Sequence, residues 1–471
     1  MRATDTQTDT APLPDPSMTC FKAYDVRGRL GDNFDAATAR RIGAAFAAVM
    51  RPRTVVVGRD CRESSSEILD ALAAGLTGAG VDVLDIGLAG TEEVYFATAH
   101  LDAEGGIEVT ASHNPIDYNG LKIVGPGSRP LSEEEFDAIK GAAQAGAAGD
   151  HGGSAGSRQP AAVRDAYARH LVDMVAVDRL RPVRLVVNAG NGVAGPAFDA
   201  ILDELERRGA PVTVTRLHHA PDGRFPNGIP NPLLEENRPV TAEAVLREGA
   251  DLGIAWDGDF DRCFFFTHEG GFVDGEYVVA LLAEACLATA PGETIVHDPR
   301  VIWNTQDTVS RAGGVAVQSR TGHAFMKRVM RAHGAIYGGE MSAHHYFRDF
   351  MYCDSGMIPW LKIWELVSRR EQPLAALIDS MKARFPSSGE INFEVPDPKK
   401  VIERVAAHFE QEGAEIAHFD GVSITFPDWR ASLRASSTEP LMRLNVEARG
   451  AAGQVRHGVD RVRATIDAAT G

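Results

Sequence analysis

The sequence predicts an α/β protein in which three similar α/β domains with mixed, mostly parallel sheets precede a smaller C-terminal α+β domain. The length of 471 residues is enough for roughly three or four domains. One strand–helix–strand pattern occurs three times, and the tail replaces it with short strands joined by brief turns. Hydrophobic residues make up 44% of the chain and charged residues 24%, so each domain can bury a core of its own.

The three repeated units span 54–87, 183–217 and 293–322. Each contains an apolar β-branched run, a helical run with a period of 3.6 and a second apolar run. Each helical run ends in Gly-Ala or Gly-Gly, which is typical of helix C-termini. Such units favour parallel strands with helices packed on the sheet.

The predicted domains span 18–160, 161–270, 271–385 and 386–471. In the last of them, a strand and a helix are followed by three strand-like runs and a final helix, which predicts an antiparallel α+β domain. Residues 1–17 are rich in Thr, Asp and Pro without an apolar segment, so we expect a disordered leader rather than a signal peptide. The Ala-, Gly- and Ser-rich stretch 142–161 predicts a surface insertion or linker.

Charge and cysteine usage argue against several classes of protein. The formal net charge of −17 disfavours general binding to nucleic acids or to anionic membranes. The five cysteines are odd in number and form no C-x-x-C pair, which fits reduced thiols in a cytoplasmic protein. The longest apolar stretch, 277–290, is too short to cross a bilayer and predicts a buried helix.

The first motif that could carry chemistry is TASHNP at 110–115. It follows a strand-like run and ends at a proline, so it predicts a tight loop where α/β proteins place ligands. Ser112 would be presented there, but the flanks are not the G-x-S-x-G of α/β-hydrolases. The adjacent His113 does not by itself imply a Ser–His dyad. A turn stabilised by serine, asparagine and proline stays open as an alternative.

The second motif places Asp257, Asp259 and Asp261 between two apolar, strand-like runs. Clustered carboxylates repel one another unless a cation neutralises them, and Mg²⁺ and Ca²⁺ prefer carboxylate oxygens. An EF-hand would need glycine and glutamate where Arg262 and His268 stand, so that loop type is excluded. Because the flanks are apolar, the motif favours a metal site over a solvated acidic turn.

Two further loops carry groups that could bind a phosphate in one case and sugar hydroxyls in the other. In the loop 434–440, an arginine is followed by three hydroxyls, which can encircle a phosphate, although an ordinary Ser/Thr turn stays open. The loop 338–345 reads GGEMSAHH, and its Glu340 and Ser342 could bind vicinal sugar hydroxyls. Without context, a solvent-facing loop is the preferred interpretation of that sequence.

A G-x-G-x-x-G pattern at 190–195 lies between a predicted strand and a predicted helix. A dinucleotide site also needs an acidic residue at the end of the next strand. That strand ends in Arg216, Leu217 and His218, so we interpret the pattern as a tight turn. The chain contains no P-loop sequence.

Taken together, the order of these loops resembles that of the α-D-phosphohexomutase superfamily. The stretch FKAYDVRG at 21–28 is similar to the family's N-terminal signature. More narrowly, DYNGLK, RTGHAF and YGGEMSAHHYFRDF resemble the bacterial phosphomannomutase branch. The resemblance covers nearly the whole chain from about residue 18.

This resemblance implies four domains around a central cleft and an enzyme that carries a phosphoryl group on Ser112. Mg²⁺ would be held by Asp257, Asp259, Asp261 and an oxygen of the phosphorylated Ser112. The enzyme would phosphorylate the free hydroxyl of a hexose 1- or 6-phosphate, with a hexose 1,6-bisphosphate as intermediate and activator. Phosphoryl transfer depends mostly on positioning and on neutralising charge.

The resemblance also implies roles for further residues. Arg27, Lys122 and Arg262 would offset charge on the transferring group, and His113 or Lys122 would assist proton transfer, with the general base left open. The implied substrate contacts are Tyr24, Arg300, His323, Glu340, Ser342, His344, Arg434, Ser436, Ser437 and Thr438. The chain departs from many relatives at three positions, with Arg300 for lysine, Phe260 for glycine and Ser437 for asparagine.

Several functions remain open at this point. Mannose phosphates are the favoured substrates, followed by glucose phosphates or both sugars, and then glucosamine phosphate. A metal-dependent sugar phosphatase and a non-catalytic sugar-phosphate-binding protein are the alternatives from other classes. We expect a cytoplasmic monomer or homodimer with a phosphosugar substrate and a role in GDP-mannose supply, without nucleic-acid or membrane partners.

Overall fold

The computed structural model describes residues 17–146, 154–435 and 441–470. Four sheets divide these residues into four consecutive domains, which we number 1 to 4 along the chain. The first three combine mixed sheets with helices, and the fourth has an antiparallel sheet. The predicted fold class is confirmed. Most of the predicted leader, 1–16, lies outside the described residues.

Domain 1 has a six-stranded sheet in the order β1-β5-β4-β2-β3-β6. Its elements are β1 (Val26–Arg29), α1 (Ala36–Met50), β2 (Thr54–Arg59), α2 (Ser65–Gly78), β3 (Asp82–Leu88), α3 (Thr91–His100), β4 (Gly106–Val109), β5 (Tyr118–Val124), α4 (Glu133–Gln144) and β6 (Arg158–Pro160). Strand β6 pairs with β3, so the end of the predicted linker 142–161 is an edge strand rather than only a connection.

Domain 2 has a four-stranded sheet in the order β10-β9-β7-β8. Its elements are α5 (Arg164–Val172), β7 (Val183–Asn188), α6 (Ala194–Arg207), β8 (Val212–Leu217), α7 (Pro239–Glu248), β9 (Leu252–Trp256) and β10 (Cys263–Thr267). Strands β9 and β10 are antiparallel, and the aspartate motif forms the connection between them.

Domain 3 has a five-stranded sheet in the order β12-β11-β13-β14-β15. Its elements are α8 (Gly275–Leu287), β11 (Thr294–His297), α9 (Trp303–Arg311), β12 (Val315–Gln318), α10 (His323–His333), β13 (Tyr337–Gly339), β14 (His345–Phe347), β15 (Cys353–Asp354), α11 (Ile358–Arg370) and α12 (Leu374–Arg384).

Domain 4 has an antiparallel sheet in the order β16-β20-β19-β18-β17. Its elements are β16 (Ser387–Glu394), α13 (Pro398–Gln411), β17 (Glu415–His418), β18 (Val422–Thr425), β19 (Trp429–Ala435), β20 (Leu441–Ala448) and α14 (Ala452–Thr470). An apolar core of its own lies between this sheet and the two helices.

The three repeated units form as the sequence predicts. In each unit the two strands pair in parallel, as β2 with β3, β7 with β8 and β11 with β12. The glycines that follow the helices, Gly80, Gly209 and Gly313, have φ values of 83°, 82° and 75°. Glycine adopts this left-handed conformation without a steric penalty, which explains why each helix ends there.

The predicted buried helix is confirmed, because nearly every residue of α8 is buried. The five cysteines, all within the described ranges, form no disulfide bonds with one another. Among the helices that the structure describes, none is long and apolar enough to cross a membrane.

Buried carboxylates join the domains behind the functional loops. Glu92 of α3 in domain 1 accepts hydrogen bonds from the Ser355 hydroxyl (3.0 Å) and the Gly356 amide of domain 3 and from the Tyr167 hydroxyl. Burial raises the pKa of Glu92 to about 8, despite these hydrogen bonds. The Glu92 carboxyl therefore holds domain 3 against α3.

Domain 4 is held against domain 3 by a second buried group. Glu447 accepts the backbone amides of Ile302 (3.0 Å) and Trp303 (2.8 Å) at the N-terminus of α9. Its partner Arg430 donates to Glu447 and to the carbonyls of Pro299 and Arg300 in domain 3. This pair fixes the backbone around Arg300, which is a predicted substrate contact.

Candidate active site

Ser112 lies on the predicted tight loop after β4 and is 4% exposed. Its φ of 47° places it in the left-handed region, an uncommon conformation for a residue with a side chain. Its Oγ donates to Asp257 Oδ2 at 2.7 Å and lies 2.9 Å from His113 Nδ1. We call 110–115 the serine loop and 257–262 the metal loop. These loops belong to different domains, and they meet at the Ser112 hydroxyl.

The serine loop is held by Arg62, a buried residue that the sequence reasoning did not single out. The Arg62 guanidinium donates to four carbonyl oxygens, those of Ser112, Asn114, Pro115 and Tyr118, at 2.6 to 3.2 Å. Asp60 accepts the Arg62 amide at 2.9 Å and the Ala111 amide at 3.3 Å. Arg62 and Asp60 therefore fix the backbone on both sides of the serine.

The three predicted metal ligands are buried and converge. Asp257, Asp259 and Asp261 each offer a carboxylate oxygen within 4.8 Å of the others. The Oδ1 atoms of Asp259 and Asp261 are buried and have no hydrogen-bond partner. Buried carboxylate oxygens without partners are costly, and a divalent cation would satisfy them, so the residues fit an oxygen-liganded metal.

Basic side chains offset part of the negative charge of the three aspartates. Lys122 Nζ contacts Asp259 Oδ2 at 2.8 Å and also contacts Asp261. Burial would lower the pKa of Lys122, but the two carboxylates raise it above its usual range. Burial would likewise raise the pKa of Asp257, but the charge of Arg262 and the hydrogen bond of His113 hold it below its usual range. The Arg262 Nε–Asp257 Oδ2 distance is 2.9 Å.

The sequence reasoning also missed two threonines that hold the metal loop from domain 1. The hydroxyls of Thr91 and Thr110 lie 2.7 and 3.3 Å from Asp259 Oδ2. Arg27 donates to the Thr110 carbonyl, so this predicted catalytic residue lies against the serine loop. The charge of Arg262, followed by burial, lowers the pKa of His113.

Tyr24 and His323 meet across the boundary between domains 1 and 3. Their ring centroids are 5.7 Å apart with an edge-on geometry, and His323 Nε2 lies 3.6 Å from Asp25 Oδ1. Both line a pocket with an empty volume of about 500 Å³ that also contains Lys122. The structure therefore brings these two predicted substrate contacts close to Lys122, which itself contacts the metal loop.

The loop 338–345, which we call the sugar-binding loop, lies beside the metal loop. His344 Nε2 is 3.8 Å from Asp261 Oδ1, and Ser342 Oγ is 3.3 Å from His344 Nδ1. Glu340 is buried, and its carboxylate accepts the Gly322 amide (2.8 Å) and the Tyr346 hydroxyl (2.6 Å). These contacts hold the loop beside the metal loop, so it is not simply a solvent-facing loop.

The two adjacent histidines of this loop differ completely in environment. His345 is fully buried, and its Nδ1 lies 2.8 Å from the Tyr337 hydroxyl. Burial, followed by the charge of His344, lowers the pKa of His345 to about 3, so its ring is neutral at ordinary pH. Only His344 faces the carboxylates of the site.

Arg300 is buried and is paired with Asp298, another residue that the sequence reasoning missed. Its Nε and Nη2 lie 3.0 and 2.5 Å from Asp298 Oδ2, and its Nη2 lies 3.5 Å from Ser342 Oγ. The same Asp298 oxygen accepts the Met341 amide at 2.8 Å. Asp298 therefore couples the orientation of Arg300 to that of the sugar-binding loop.

Arg434 is the penultimate residue of β19 and lies opposite Arg443 in the antiparallel register. Its Nε is 3.2 Å from Asp420 Oδ2, which also accepts the Thr321 hydroxyl of domain 3 at 2.7 Å. Burial, followed by the charge of Arg300, lowers the pKa of the Arg434 guanidinium. The hydroxyl residues of this loop, Ser436, Ser437 and Thr438, lie outside the described residues.

The turn 190–195 supports the site without forming a nucleotide-binding loop. A Cβ at Gly192 would lie 2.6 Å from the carbonyl oxygen of Gly258, and a Cβ at Gly258 would lie 2.6 Å from that of Ser112. The Val193 amide also donates to the Gly258 carbonyl at 3.1 Å. The glycines therefore permit close packing of the turn, the metal loop and the serine loop.

Family models match almost the whole of this architecture. Those of the phosphoglucomutase/phosphomannomutase α/β/α domains I, II and III match 18–149, 165–270 and 274–385, and that of the C-terminal domain matches 390–465. The chain belongs to the phosphoglucomutase/phosphomannomutase family. The predicted resemblance is confirmed, and as a member of this family the chain is an enzyme that transfers a phosphoryl group within its substrate. Each matched stretch lies inside one predicted domain, whose boundaries stay predictions.

Similar proteins carry related names. A phosphomannomutase of Salmonella typhimurium is 55% identical over 437 residues, which is 92% of this chain and 95% of that protein. A Xanthomonas campestris protein named phosphohexose mutases is 53% identical over 92% of this chain and 96% of its own length. A Burkholderia thailandensis structure of a phosphoglucomutase/phosphomannomutase family protein has a TM-score of 0.84 at 32% identity, covering 97% of this chain and 98% of that one.

Proposed function

We propose that the protein is a phosphomannomutase, which interconverts mannose 6-phosphate and mannose 1-phosphate through a phosphorylated Ser112. The observation that carries this proposal is the Ser112 Oγ atom, which lies 2.7 Å from Asp257 at a cluster of three buried carboxylates. A buried hydroxyl beside basic side chains and carboxylates that can hold a cation suits transient phosphorylation, because both would offset the negative charge of a phosphoryl group.

Mg²⁺ is the cofactor that these residues fit best. Asp257, Asp259 and Asp261 would hold it together with an oxygen of phosphorylated Ser112, and the unpartnered Oδ1 atoms support this assignment. When bound, the ion would neutralise negative charge on the transferring phosphoryl group. Lys122, Arg262 and Arg27 supply further positive charge around the same position.

In the first step, the P–Oγ bond of phosphorylated Ser112 breaks as a bond forms between phosphorus and the free hydroxyl oxygen of the sugar. The hydroxyl proton ends on Ser112 Oγ, so atoms and charge balance. His113, whose Nδ1 lies 2.9 Å from Oγ, or Lys122 would carry this proton, and the choice of general base stays open. The product is a hexose 1,6-bisphosphate, which turns over in the site and returns its other phosphoryl group to Ser112.

The binding residues must accept the sugar in both orientations. Glu340, Ser342 and His344 would contact its hydroxyls, with Tyr24, His323 and Arg300 around them. The phosphate that is not reacting would be bound by Arg434 with Ser436, Ser437 and Thr438. Guanidinium groups suit this task because their planar donors match phosphate oxygens.

The names of the most similar relatives favour mannose phosphates, since several at 50% to 55% identity are phosphomannomutases. The name of the Xanthomonas campestris relative, phosphohexose mutases, favours activity on more than one hexose phosphate. Our second candidate is therefore activity on both mannose and glucose phosphates. We also propose a cytoplasmic enzyme with catalytic hexose 1,6-bisphosphate as activator, working as a monomer or homodimer.

The direct test follows mannose 1-phosphate and glucose 1-phosphate separately by ³¹P NMR, with Mg²⁺ and a trace of glucose 1,6-bisphosphate. Conversion of mannose 1-phosphate to the 6-phosphate without free phosphate is the expected result, and the ratio of rates decides between the two candidate functions. Release of inorganic phosphate alone would instead indicate a sugar phosphatase. An unchanged spectrum with both esters would contradict both candidate functions and would leave a glucosamine phosphate mutase or a binding protein.

A further inference from the structure

Phe260 stands in the middle of the metal loop, between the proposed ligands Asp259 and Asp261. It is completely buried, although loops between strands usually expose their central residues. Its φ of 44° lies in the left-handed region, which is unfavourable for a bulky side chain. An unfavourable backbone conformation persists where surrounding contacts enforce it, so the environment of the ring explains why phenylalanine is tolerated.

The ring enters a space in domain 1 that exists only because residue 90 is glycine. A Cβ at Gly90 would lie 2.1 Å from Phe260 Cε1 and 2.6 Å from Cδ1. Gly90 itself has a φ of −106° and a ψ of 169°, an extended conformation open to any residue. Glycine is therefore required here for space and not for backbone freedom.

Other contacts fix the loop on either side of the ring. Thr91, next to Gly90, donates its amide to the Asp259 carbonyl (3.3 Å) and its hydroxyl to the Asp259 carboxylate (2.7 Å). From domain 3, a Cβ at Gly356 would lie 2.3 Å from the Phe260 carbonyl oxygen. Phe260 thus contacts domain 1 with its ring and domain 3 with its backbone carbonyl.

We propose that Phe260 is a wedge that holds the metal loop against domain 1 and so preorganises its carboxylates for the cation. Three converging carboxylates repel one another before a cation binds, and contacts outside the cluster must hold them together. A ring locked at Gly90 provides such a contact and lowers the ordering cost at the moment of binding. Phe260 is a positioning residue, and its assignment rests on the proposed metal site.

The first experiment measures Mn²⁺ binding to the sugar-free enzyme by EPR, with Mg²⁺ as competitor. In Phe260→Gly, we expect the dissociation constants of both ions to rise about tenfold or more, as is usual when support of metal ligands is lost. Phe260→Leu keeps an apolar side chain, so its dissociation constants should lie between those of the wild type and those of Phe260→Gly. In mutase assays, added Mg²⁺ should restore most of the rate that Phe260→Gly loses at low Mg²⁺.

A double-mutant cycle tests the contact itself. Gly90→Ala should weaken Mn²⁺ binding in the wild-type background, because its methyl group displaces the ring. In the Phe260→Gly background the same substitution should have no further effect, since the space is empty. Equal weakening by Gly90→Ala in both backgrounds would show that the ring contact does not act on the metal loop, and would overturn the proposal.

The chain offers a matched control inside domain 1. A Cβ at Gly105 would lie 2.7 Å from the ring of buried Phe46, the same kind of packing away from the metal loop. Phe46→Ala and Gly105→Ala should lower the melting temperature and leave Mn²⁺ affinity unchanged. Weaker Mn²⁺ binding in these controls, or wild-type affinity in Phe260→Gly, would contradict the wedge. Because no sugar is present, these results do not depend on which mutase activity the enzyme has.

Discussion

Ser112 and the three aspartates, which are proposed for phosphoryl transfer, are more buried than three of the residues proposed for substrate binding, whereas Glu340 and Arg300 of the binding set are buried as well. Ser112 and the three aspartates are at most 4% exposed, and Ser112, Asp257 and Asp259 each take part in several hydrogen bonds. In contrast, the side chains of Arg434, His344 and His323 retain 20%, 24% and 27% exposure. Arg434 and His323 each have one carboxylate contact, at 3.2 and 3.6 Å, and His344 has two, at 3.7 and 3.8 Å.

This difference matches the two tasks of the enzyme. Ser112 and the three aspartates form what we call the transfer side, and the substrate contacts form the binding side. The transfer side performs the same reaction at one position in both steps. Rates fall steeply when reacting groups are misplaced. The binding side must hold the sugar in two orientations, so loosely held and partly solvated groups suit it. Changes on the transfer side should therefore lower kcat, and changes on the binding side should raise KM.

The largest effect is expected for Ser112→Ala, which removes the atom that carries the phosphoryl group. We expect kcat to fall by at least about 10³-fold, as is usual when a nucleophile is removed. The control is Ser128→Ala, which removes a buried hydroxyl that donates to the Tyr95 carbonyl at 2.6 Å. Substantial mutase activity in Ser112→Ala would place the phosphoryl group elsewhere.

Next in size is Arg62→Lys, which keeps the charge but cannot reach four carbonyl oxygens with one planar group. The serine loop should then lose its alignment with Asp257, and kcat should fall about 10²-fold with little change in KM. Phosphorylation of Ser112 by hexose 1,6-bisphosphate, followed by intact mass, should slow in parallel. A rise in KM at unchanged kcat would show that Arg62 belongs to the binding side.

A smaller effect is expected for Arg434→Ala on the binding side. Loss of a charge-assisted hydrogen bond to phosphate costs about 1.5–3 kcal/mol, so KM should rise roughly 10- to 100-fold. Steady-state kinetics with mannose 1-phosphate give both constants, and Arg463→Ala at the ring of Phe393 is the matched control. A fall in kcat at unchanged KM would remove the distinction between the two sides.

The smallest effect concerns Glu92, which supports the transfer side from behind. Its pKa is about 8 in the folded protein against an ordinary 4.5, so the folded state binds a proton that the unfolded state releases between these values. Protonated Glu92 therefore contributes stability that is complete below about pH 4.5 and is lost as the pH rises through 8. In Glu92→Gln, the melting temperature should fall less over this range. Parallel curves for both proteins would contradict the prediction.

Sequence reasoning found the residues whose chemistry is contiguous in the chain. The alternating aspartates and the serine loop each form a short motif, and their predicted strand contexts are observed. Arg62, Asp298 and Glu92 carry no such signal, because their partners lie up to 265 residues away or act through backbone groups. The different fates of His344 and His345 likewise depend on which face of the loop meets the core.

Phe260, where many relatives have glycine, is a further case in which the sequence does not indicate a long-range contact. The sequence indicates only a bulkier metal loop, since nothing near Gly90 marks it as the partner of a ring 170 residues away. The close approach becomes visible only when domains 1 and 2 are packed together.

The central claim is that the phosphoryl group resides on Ser112 during turnover, and a label transfer experiment tests it most directly. The enzyme is incubated with ³²P-labelled hexose 1,6-bisphosphate, isolated, and chased with unlabelled mannose 1-phosphate. We predict label on the peptide that contains Ser112, which the chase moves into sugar phosphates, and no label on Ser112→Ala. Label on another peptide, or its release as inorganic phosphate during the chase, would contradict the account.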